Sequence, residues 1–171
     1  KDVNKGYGGL RVVRDFSAAV QRGEKVALMG RNGAGKTTLL KALLANAPGV
    51  DDPDVGLDSG VVTWGHEVQV GYFAQDHRGS IRNGTTVNEW LHDWDPQASK
   101  EAIRELLGQM LFSGEEGQKP TDALSGGEAA RLIFCKLMLQ KPNVLVFDEP
   151  TNGLDPVGIA YNSALMKDAP T

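Results

Sequence analysis

Two adjacent carboxylates follow a short apolar stretch in "VLVFDEPTNGLDPVG". The four apolar residues "VLVF" lead directly into Asp148 and Glu149. Such a stretch is typical of a buried strand that carries polar side chains to its end. The pair suits a metal ligand and a general base, or equally a core strand that meets a solvated loop. The two carboxylates alone leave both interpretations open.

A phosphate-binding pattern lies upstream of these carboxylates. The stretch "GRNGAGKTT" matches G-x-x-x-x-G-K-[ST] between a strand candidate, "KVALM", and a helix candidate. Glycines at these positions let successive N–H groups point at phosphate oxygens, and the helix adds its positive N-terminal end. The alternative is a glycine-rich connection with no ligand. The predicted nucleotide-binding residues are Gly30, Arg31, Asn32, Gly33, Ala34, Gly35, Lys36, Thr37 and Thr38.

This pattern gives the carboxylates a chemical role. Lys36 supplies a charge for the β- and γ-phosphates, and Thr37 offers a hydroxyl to Mg²⁺. A parallel strand beside the phosphate-binding strand would bring Asp148 near that Mg²⁺, as a direct or water-mediated ligand. Glu149 would then face the γ-phosphate and polarise the attacking water. The sequence therefore predicts a protein that binds a nucleoside triphosphate with Mg²⁺.

Strand and helix candidates alternate along the chain, which predicts an α/β domain with a mainly parallel sheet. The all-apolar "VLVF" suits an inner strand buried on both faces. The strand candidates are "LRVVRDFSAAV", "EKVALMG", "VVTW", "VQVGYF" and "VLVF". The helix candidates are "KTTLLKALLAN", "TVNEWLHDW", "ASKEAIRELLGQM", "EAARLIFCKLMLQ" and, more weakly, "VGIAYNSALMKD".

The composition is that of an ordinary globular protein, with 40% hydrophobic and 23% charged residues. A net charge of −4 and a pI near 5.4 provide no global basic field for nucleic acid or anionic membrane. The longest apolar runs fall far short of the ~20 residues that span a bilayer. Without an opening signal peptide, we expect a cytoplasmic protein with no membrane insertion.

A second anion-binding pattern occurs in "LSGGEAARL". A Ser-Gly-Gly at the start of an apolar helix offers a hydroxyl, two unobstructed N–H groups and a helix dipole. Taken alone, it could be a helix cap. Between the phosphate-binding loop and "VLVFDEPTNGLD", it resembles the signature motif of ATP-binding cassette (ABC) ATPases. In that family, ATP is sandwiched between the phosphate loop of one cassette and the signature of its partner. The resemblance therefore implies a second cassette. It also implies that the residues facing the partner's ATP are Ser125, Gly126, Gly127 and Glu128.

Further residues match the same family by position. Tyr7 in "KGYGGL" stands where the family places an aromatic residue that stacks on adenine, although alone it could be a packing residue. Gln75 in "GYFAQD" matches the glutamine that approaches Mg²⁺ and the attacking water. Asp155 in "NGLD" matches a loop that crosses to the partner domain. The resemblance thus implies Glu149 and Gln75 as catalytic residues, and Thr37, Gln75 and Asp148 as metal ligands.

The resemblance runs through nearly the whole chain and is nearest to the second cassette of the ABC-F branch, whose soluble tandem ATPases act on ribosomes. It implies a P-loop NTPase fold in one partial domain, residues 1–171. Antiparallel strands would precede the parallel sheet, and a helical subdomain would be inserted at roughly residues 76–123. ATP and Mg²⁺ are the implied cofactors. A partner cassette and the ribosome with its tRNA are the implied partners.

Two departures from the family pattern modify this expectation. ABC-F proteins usually carry histidine where Gly153 stands. The family also continues with C-terminal strands and a switch histidine that senses the γ-phosphate, whereas His66, His77 and His92 all precede the signature. We therefore expect a cassette that lacks those strands and that histidine. The isolated chain is expected to bind MgATP and to hydrolyse it poorly.

Two other functions fit parts of the sequence. The first is the nucleotide-binding subunit of an ABC membrane transporter, which shares every nucleotide motif and which Gly153 slightly favours. "TVNEWLHDWD" looks more like ABC-F. The second is a non-hydrolytic module that dimerises on ATP.

Overall fold

The structure, a computed structural model, describes residues 1–76 and 78–150 of the 171-residue chain. The described chain forms two compact units, one over Lys1–Val70 and the other from Gly71 onward. The predicted C-terminal helix and the predicted absence of further strands concern positions outside the described residues. The single domain and the helical subdomain at 76–123 stay predictions.

An antiparallel hairpin opens the first unit. Strand β1, Val3–Tyr7, pairs with β2, Leu10–Phe16, and Tyr7 lies opposite Leu10. The connecting Gly8 and Gly9 have φ angles of 54° and 87°. A two-residue turn with positive φ at both positions matches the twist of the strands, and glycine adopts it without steric cost. The antiparallel N-terminal strands are therefore present as predicted, and β1 is an addition to the predicted elements.

Helix α1, Lys36–Leu43, packs on this hairpin. Val3, Val13 and Ala42 form the buried centre of the unit. Leu39 and Phe16 lie partly buried against it. This small core fixes the start of α1, and hence the loop before it, against β1 and β2.

Two predicted strands of the first unit are not formed. Residues 24–29, which include "KVALM", and residues 61–64, "VVTW", have no strand pairing. Val26 is 64% exposed and Met29 is 93% exposed. A strand satisfies its backbone groups only through a neighbouring strand, and no described strand pairs with either segment. Both strand predictions are therefore wrong for this structure.

The second sheet also has two strands, β3, Val70–Phe73, and β4, Val144–Phe147. The residues of β4 are half-buried, whereas the sequence predicted burial on both faces. Phe73 stacks on Phe134 with ring centroids 4.7 Å apart. Among the described residues, the two sheets have two strands each, so the predicted larger parallel sheet does not form there.

Helices α2, Val87–His92, α3, Lys100–Gln109, and α4, Gly126–Gln140, confirm three predicted helices. Each begins after a residue whose side-chain hydroxyl accepts a backbone N–H three residues on: Thr86 for α2, Ser99 for α3 and Ser125 for α4. Their apolar faces share one core with β3 and β4. Three short 3₁₀ segments lie between the elements, at Arg78–Ser80, Gly114–Gln118 and Thr121–Ala123. In the described part of the chain, no helix combines the length and apolar character needed to cross a membrane.

Candidate functional site

The predicted phosphate loop forms an open turn at the start of α1. The N–H of Ala34 donates to the carbonyl oxygen of Arg31 at 3.1 Å, and the N–H of Leu39 donates to that of Gly35 at 2.8 Å, which begins the helix. Gly33 and Gly35 have φ angles of 78° and 89°. Positive φ within a loop turns successive N–H groups to one side, as an anion site requires. Residues 31–34 are exposed, so a phosphate chain can reach them.

Lys36 folds back over this loop. Its Nζ donates to the carbonyl oxygens of Gly30 at 3.3 Å and Arg31 at 3.4 Å. These bonds hold an ammonium group beside the N–H groups at the helix start. The loop therefore presents a positive charge, backbone donors and the positive end of a helix dipole in one place. Such a set fits the phosphates of a nucleotide.

Gly35 is required both by its backbone angle and by its surroundings. A Cβ on this residue would lie 2.5 Å from Cγ1 of Val12 in β2. A side chain here would require Val12 or the loop to shift. The close approach therefore keeps the phosphate loop against the first sheet.

Tyr7 is 53% exposed at the end of β1. The Nζ of Lys5 lies 5.5 Å from the centroid of its ring. Because the ring remains largely open to solvent, it is not a core packing residue. Its role as a stacking surface for adenine stays a prediction.

The two predicted catalytic residues lie together in the second unit. Nε2 of Gln75 donates to Oε2 of Glu149 at 3.1 Å. Gln75 follows the end of β3, and Glu149 lies just beyond β4, so the pairing of these strands brings them together. Glu149 has a φ angle of 48°, an uncommon value for a residue with a side chain, and such strain is often found at functional sites.

Asp148 precedes Glu149 and is only 2% exposed. Its N–H donates to the carbonyl oxygen of Phe73 at 2.9 Å, which extends the pairing of β3 and β4 by one residue. A carboxylate in this position is held by the sheet. The buried carboxylate fits a metal ligand more readily than a solvated loop residue.

The signature residues cap α4. The N–H of Glu128 donates to Oγ of Ser125 at 3.3 Å, and the N–H of Ser125 donates to Oε2 of Glu128 at 2.6 Å. This reciprocal capping box leaves Gly126 and Gly127 at the start of the helix. The helix-cap interpretation is therefore correct, and it is compatible with anion binding at the same N-terminus.

Glu128 also pairs with a residue that the sequence did not indicate. Nζ of Lys119 donates to Oε1 of Glu128 at 2.7 Å. Burial opposes the ionised carboxylate, but the hydrogen bonds from Lys119 and Ser125 outweigh it and lower the pKa of Glu128 to about 2. The carboxylate is therefore ionised and engaged within its own unit, where it organises the signature.

The structure describes the predicted residues in separate groups. The phosphate-loop residues and Tyr7 belong to the first unit, and Gln75, Asp148, Glu149 and the signature belong to the second. Asp155 and Gly153 lie outside the described residues. Sequence reasoning missed Lys119 and Arg78, because neither belongs to a motif and the acceptors of Arg78 lie 44 and 46 positions away.

A glycine-rich phosphate loop, a helix that starts at its lysine and a carboxylate pair after a strand define a P-loop nucleotide-binding protein. The profile of the ABC transporter family matches residues 13–152. The chain belongs to this family of ATP-binding cassettes, and its relatives place it in the ABC-F branch.

Several curated proteins are similar to nearly the whole chain. The probable ATP-binding protein YbiT of Escherichia coli O157:H7 is 42% identical over 165 residues, which cover 95% of this chain and 30% of YbiT. The putative ATP-binding protein YdiF of Bacillus subtilis (strain 168) is 42% identical over 84% of this chain and 21% of its own length. The ATP-binding protein Uup of Escherichia coli (strain K12) is 40% identical over 91% of this chain and 24% of its own length. The chain thus spans less than a third of these relatives.

Proposed function

We propose that this chain is the ATP-binding and ATP-hydrolysing cassette of a soluble, cytoplasmic ABC-F protein that acts on the ribosome. The observation that carries the hydrolytic part is the hydrogen bond from Gln75 to Glu149. This bond joins the carboxylate of Glu149, which can polarise water, to the amide of Gln75, which can orient the same water. Membership of the ABC-F branch favours this function over a transporter subunit.

The phosphate loop binds the nucleotide in this proposal. The N–H groups of residues 31–38 and Nζ of Lys36 surround the β- and γ-phosphates, and Tyr7 stacks on adenine. Support comes from the positive φ angles of Gly33 and Gly35 and from the position of Lys36 over the loop.

Hydrolysis requires a metal ligand set and a base. Thr37, Gln75 and Asp148 supply the oxygen ligands, in keeping with the preference of Mg²⁺ for hydroxyl, amide and carboxylate oxygens. When bound with ATP, Mg²⁺ neutralises charge on the β- and γ-phosphates. Glu149 accepts a proton from the attacking water at its carboxylate, and Gln75 orients both the carboxylate and the water.

A second cassette completes the site in this proposal. Ser125, Gly126 and Gly127 offer a hydroxyl and N–H groups to the γ-phosphate held by the partner, while Glu128 maintains their cap. Asp155 contacts the partner cassette, as the family resemblance implies. Because the signature acts across the pair, the isolated chain binds MgATP but hydrolyses it poorly.

The ribosome as partner rests on ABC-F membership. The net charge of −4 gives it no separate support. Co-sedimentation of the full-length protein with ribosomes tests it directly. ATP-dependent co-sedimentation supports it, whereas equal recovery with and without ribosomes contradicts it.

Nucleotide binding is tested by comparing two lysines of one helix. Lys36→Met removes the ammonium group over the phosphate loop. Lys41→Met removes an ammonium group whose Nζ pairs with Oδ2 of Asp54 at 3.0 Å and does not face the loop. We expect Lys36→Met to weaken the binding of fluorescent ATP by at least roughly tenfold, because charge-assisted hydrogen bonds are worth about 1.5–3 kcal/mol. The Kd of Lys41→Met should stay within about twofold of the parent.

Equal Kd values for Lys36→Met and the parent would contradict the predicted phosphate site. If the full-length parent and Glu149→Gln both bind ATP and neither hydrolyses it, the chain is instead a non-hydrolytic dimerisation module.

A further inference from the structure

Arg78 contacts the residues that lead into the signature. Its Nη2 donates to the carbonyl oxygen of Asp122 at 2.9 Å, and its Nη1 donates to that of Leu124. Leu124 directly precedes Ser125, the residue that caps α4. The planar guanidinium holds its N–H donors in a fixed fork, so two bonds to nearby carbonyls define its orientation.

We call residues 119–124 the lead-in segment. Other contacts hold this segment at positions further from the signature. The hydroxyl of Thr121, which is fully buried, donates to the carbonyl oxygens of Arg82 at 2.8 Å and Thr85 at 3.1 Å. The N–H of Val87 donates to the carbonyl oxygen of Lys119 at 3.1 Å. These bonds fix the start and middle of the lead-in segment. Arg78 provides side-chain contacts to its last residue before Ser125.

We infer that Arg78 is a positioning residue that sets the signature. Its bonds to Asp122 and Leu124 fix the direction in which the chain enters α4. They thereby orient the hydroxyl of Ser125 and the N–H groups of Gly126 and Gly127 toward a γ-phosphate. This inference rests on the proposed function, because the ligand of the signature is the nucleotide held by a partner cassette.

The test compares three variants of the full-length protein. Arg78→Met keeps a long side chain without the guanidinium, and Arg78→Lys keeps the charge without the two-pronged fork. Arg82→Met is the matched control, because the Arg82 guanidinium pairs with Asp93 at an exposed site and only the backbone carbonyl of Arg82 contacts Thr121. The measurements are kcat and Kd for MgATP, the thermal midpoint, and hydrogen exchange at the amides of Ser125 and Glu128.

For Arg78→Met we expect kcat to fall at least roughly tenfold, because a small misplacement of catalytic groups is costly. The Kd for ATP at the protein's own phosphate loop should stay within about twofold, since the loop is untouched. Exchange at the Ser125 and Glu128 amides should become faster, because the capping box opens more often. Arg78→Lys should give intermediate values, and Arg82→Met should match the parent.

The possible failures are distinguishable. If the parent does not hydrolyse ATP, the proposed function fails, and the exchange measurement still tests Arg78. If the parent is active and Arg78→Met matches Arg82→Met in kcat or in exchange, the inference is overturned. If Arg78→Met does not fold, Arg78→Lys decides: slower turnover and faster exchange than in the parent support the inference, and parental values overturn it.

Discussion

Glu128 shows how one side chain of a binding motif can have a structural task. The sequence placed it among the residues that face a partner's ATP. In the structure its carboxylate accepts bonds from Ser125 and Lys119. The motif therefore combines groups that can contact a ligand, at Gly126 and Gly127, with a carboxylate that holds them in place.

This arrangement predicts a pH-dependent contribution to stability. The pKa of Glu128 falls from an ordinary 4.5 to about 2 in the folded protein. The contribution is fully present above pH 4.5 and is lost as the pH falls toward 2. Glu128→Gln should lower the free energy of unfolding by roughly 1–2 kcal/mol at pH 7. Denaturant unfolding across this pH range measures the difference.

The companion variant is Lys119→Met, which removes the cation and keeps the carboxylate. It should reduce the same pH dependence, and the double variant should lose little more than either single one. A stability difference between the parent and Glu128→Gln that stays constant from pH 7 to pH 3 would contradict the prediction.

At the scale of elements, the start of α1 depends on the hairpin beside it. Gly35 has a φ of 89°, and a Cβ at this position would lie only 2.5 Å from Cγ1 of Val12. Gly33 has a φ of 78°, and a Cβ there would meet no atom of the described residues within 4 Å, its chain neighbours aside. Substitution of Gly33 therefore tests backbone strain alone, whereas substitution of Gly35 tests backbone strain together with a steric clash.

Gly33→Ala should cost roughly 1 kcal/mol of stability from backbone strain alone. Gly35→Ala should cost roughly 1–3 kcal/mol more, because the methyl group also displaces Val12. Urea unfolding measures both variants. Adding Val12→Ala should recover part of the loss in Gly35→Ala and none of it in Gly33→Ala. Equal losses of stability in Gly33→Ala and Gly35→Ala would contradict the predicted cost of the clash with Val12.

The predictable elements are those with local causes. Helices α2, α3 and α4 follow a capping hydroxyl at Thr86, Ser99 and Ser125 with apolar residues at helical spacing, and all of that is visible in the sequence. Strand β1 could also have been predicted, because Gly8 and Gly9 provide a hairpin turn signal.

The errors concern elements that need a distant partner. The apolar pattern of "KVALM" predicts a strand, but a strand forms only where another strand pairs with it. The Gln75–Glu149 contact was predictable only through the family resemblance. Arg78 could not be identified, because its acceptor Leu124 lies 46 positions away and Arg78 itself belongs to no motif.

At the scale of the whole molecule, the proposed function assigns the chain two kinds of anion site, which serve different nucleotides. The phosphate loop of the first unit binds the cassette's own ATP in the proposed function, and the signature of the second unit faces the partner's. The chain spans less than a third of the length of the curated relatives it matches.

The central claim is that Glu149 activates water for ATP hydrolysis, and that the site still binds ATP when the Glu149 carboxylate is removed. The most direct test measures phosphate release by the full-length protein at saturating MgATP, for the parent, Glu149→Gln and the exposed-carboxylate control Glu105→Gln. We predict that Glu149→Gln binds ATP as tightly as the parent and releases phosphate roughly 100-fold more slowly, while Glu105→Gln matches the parent. Parental turnover in Glu149→Gln would contradict the claim.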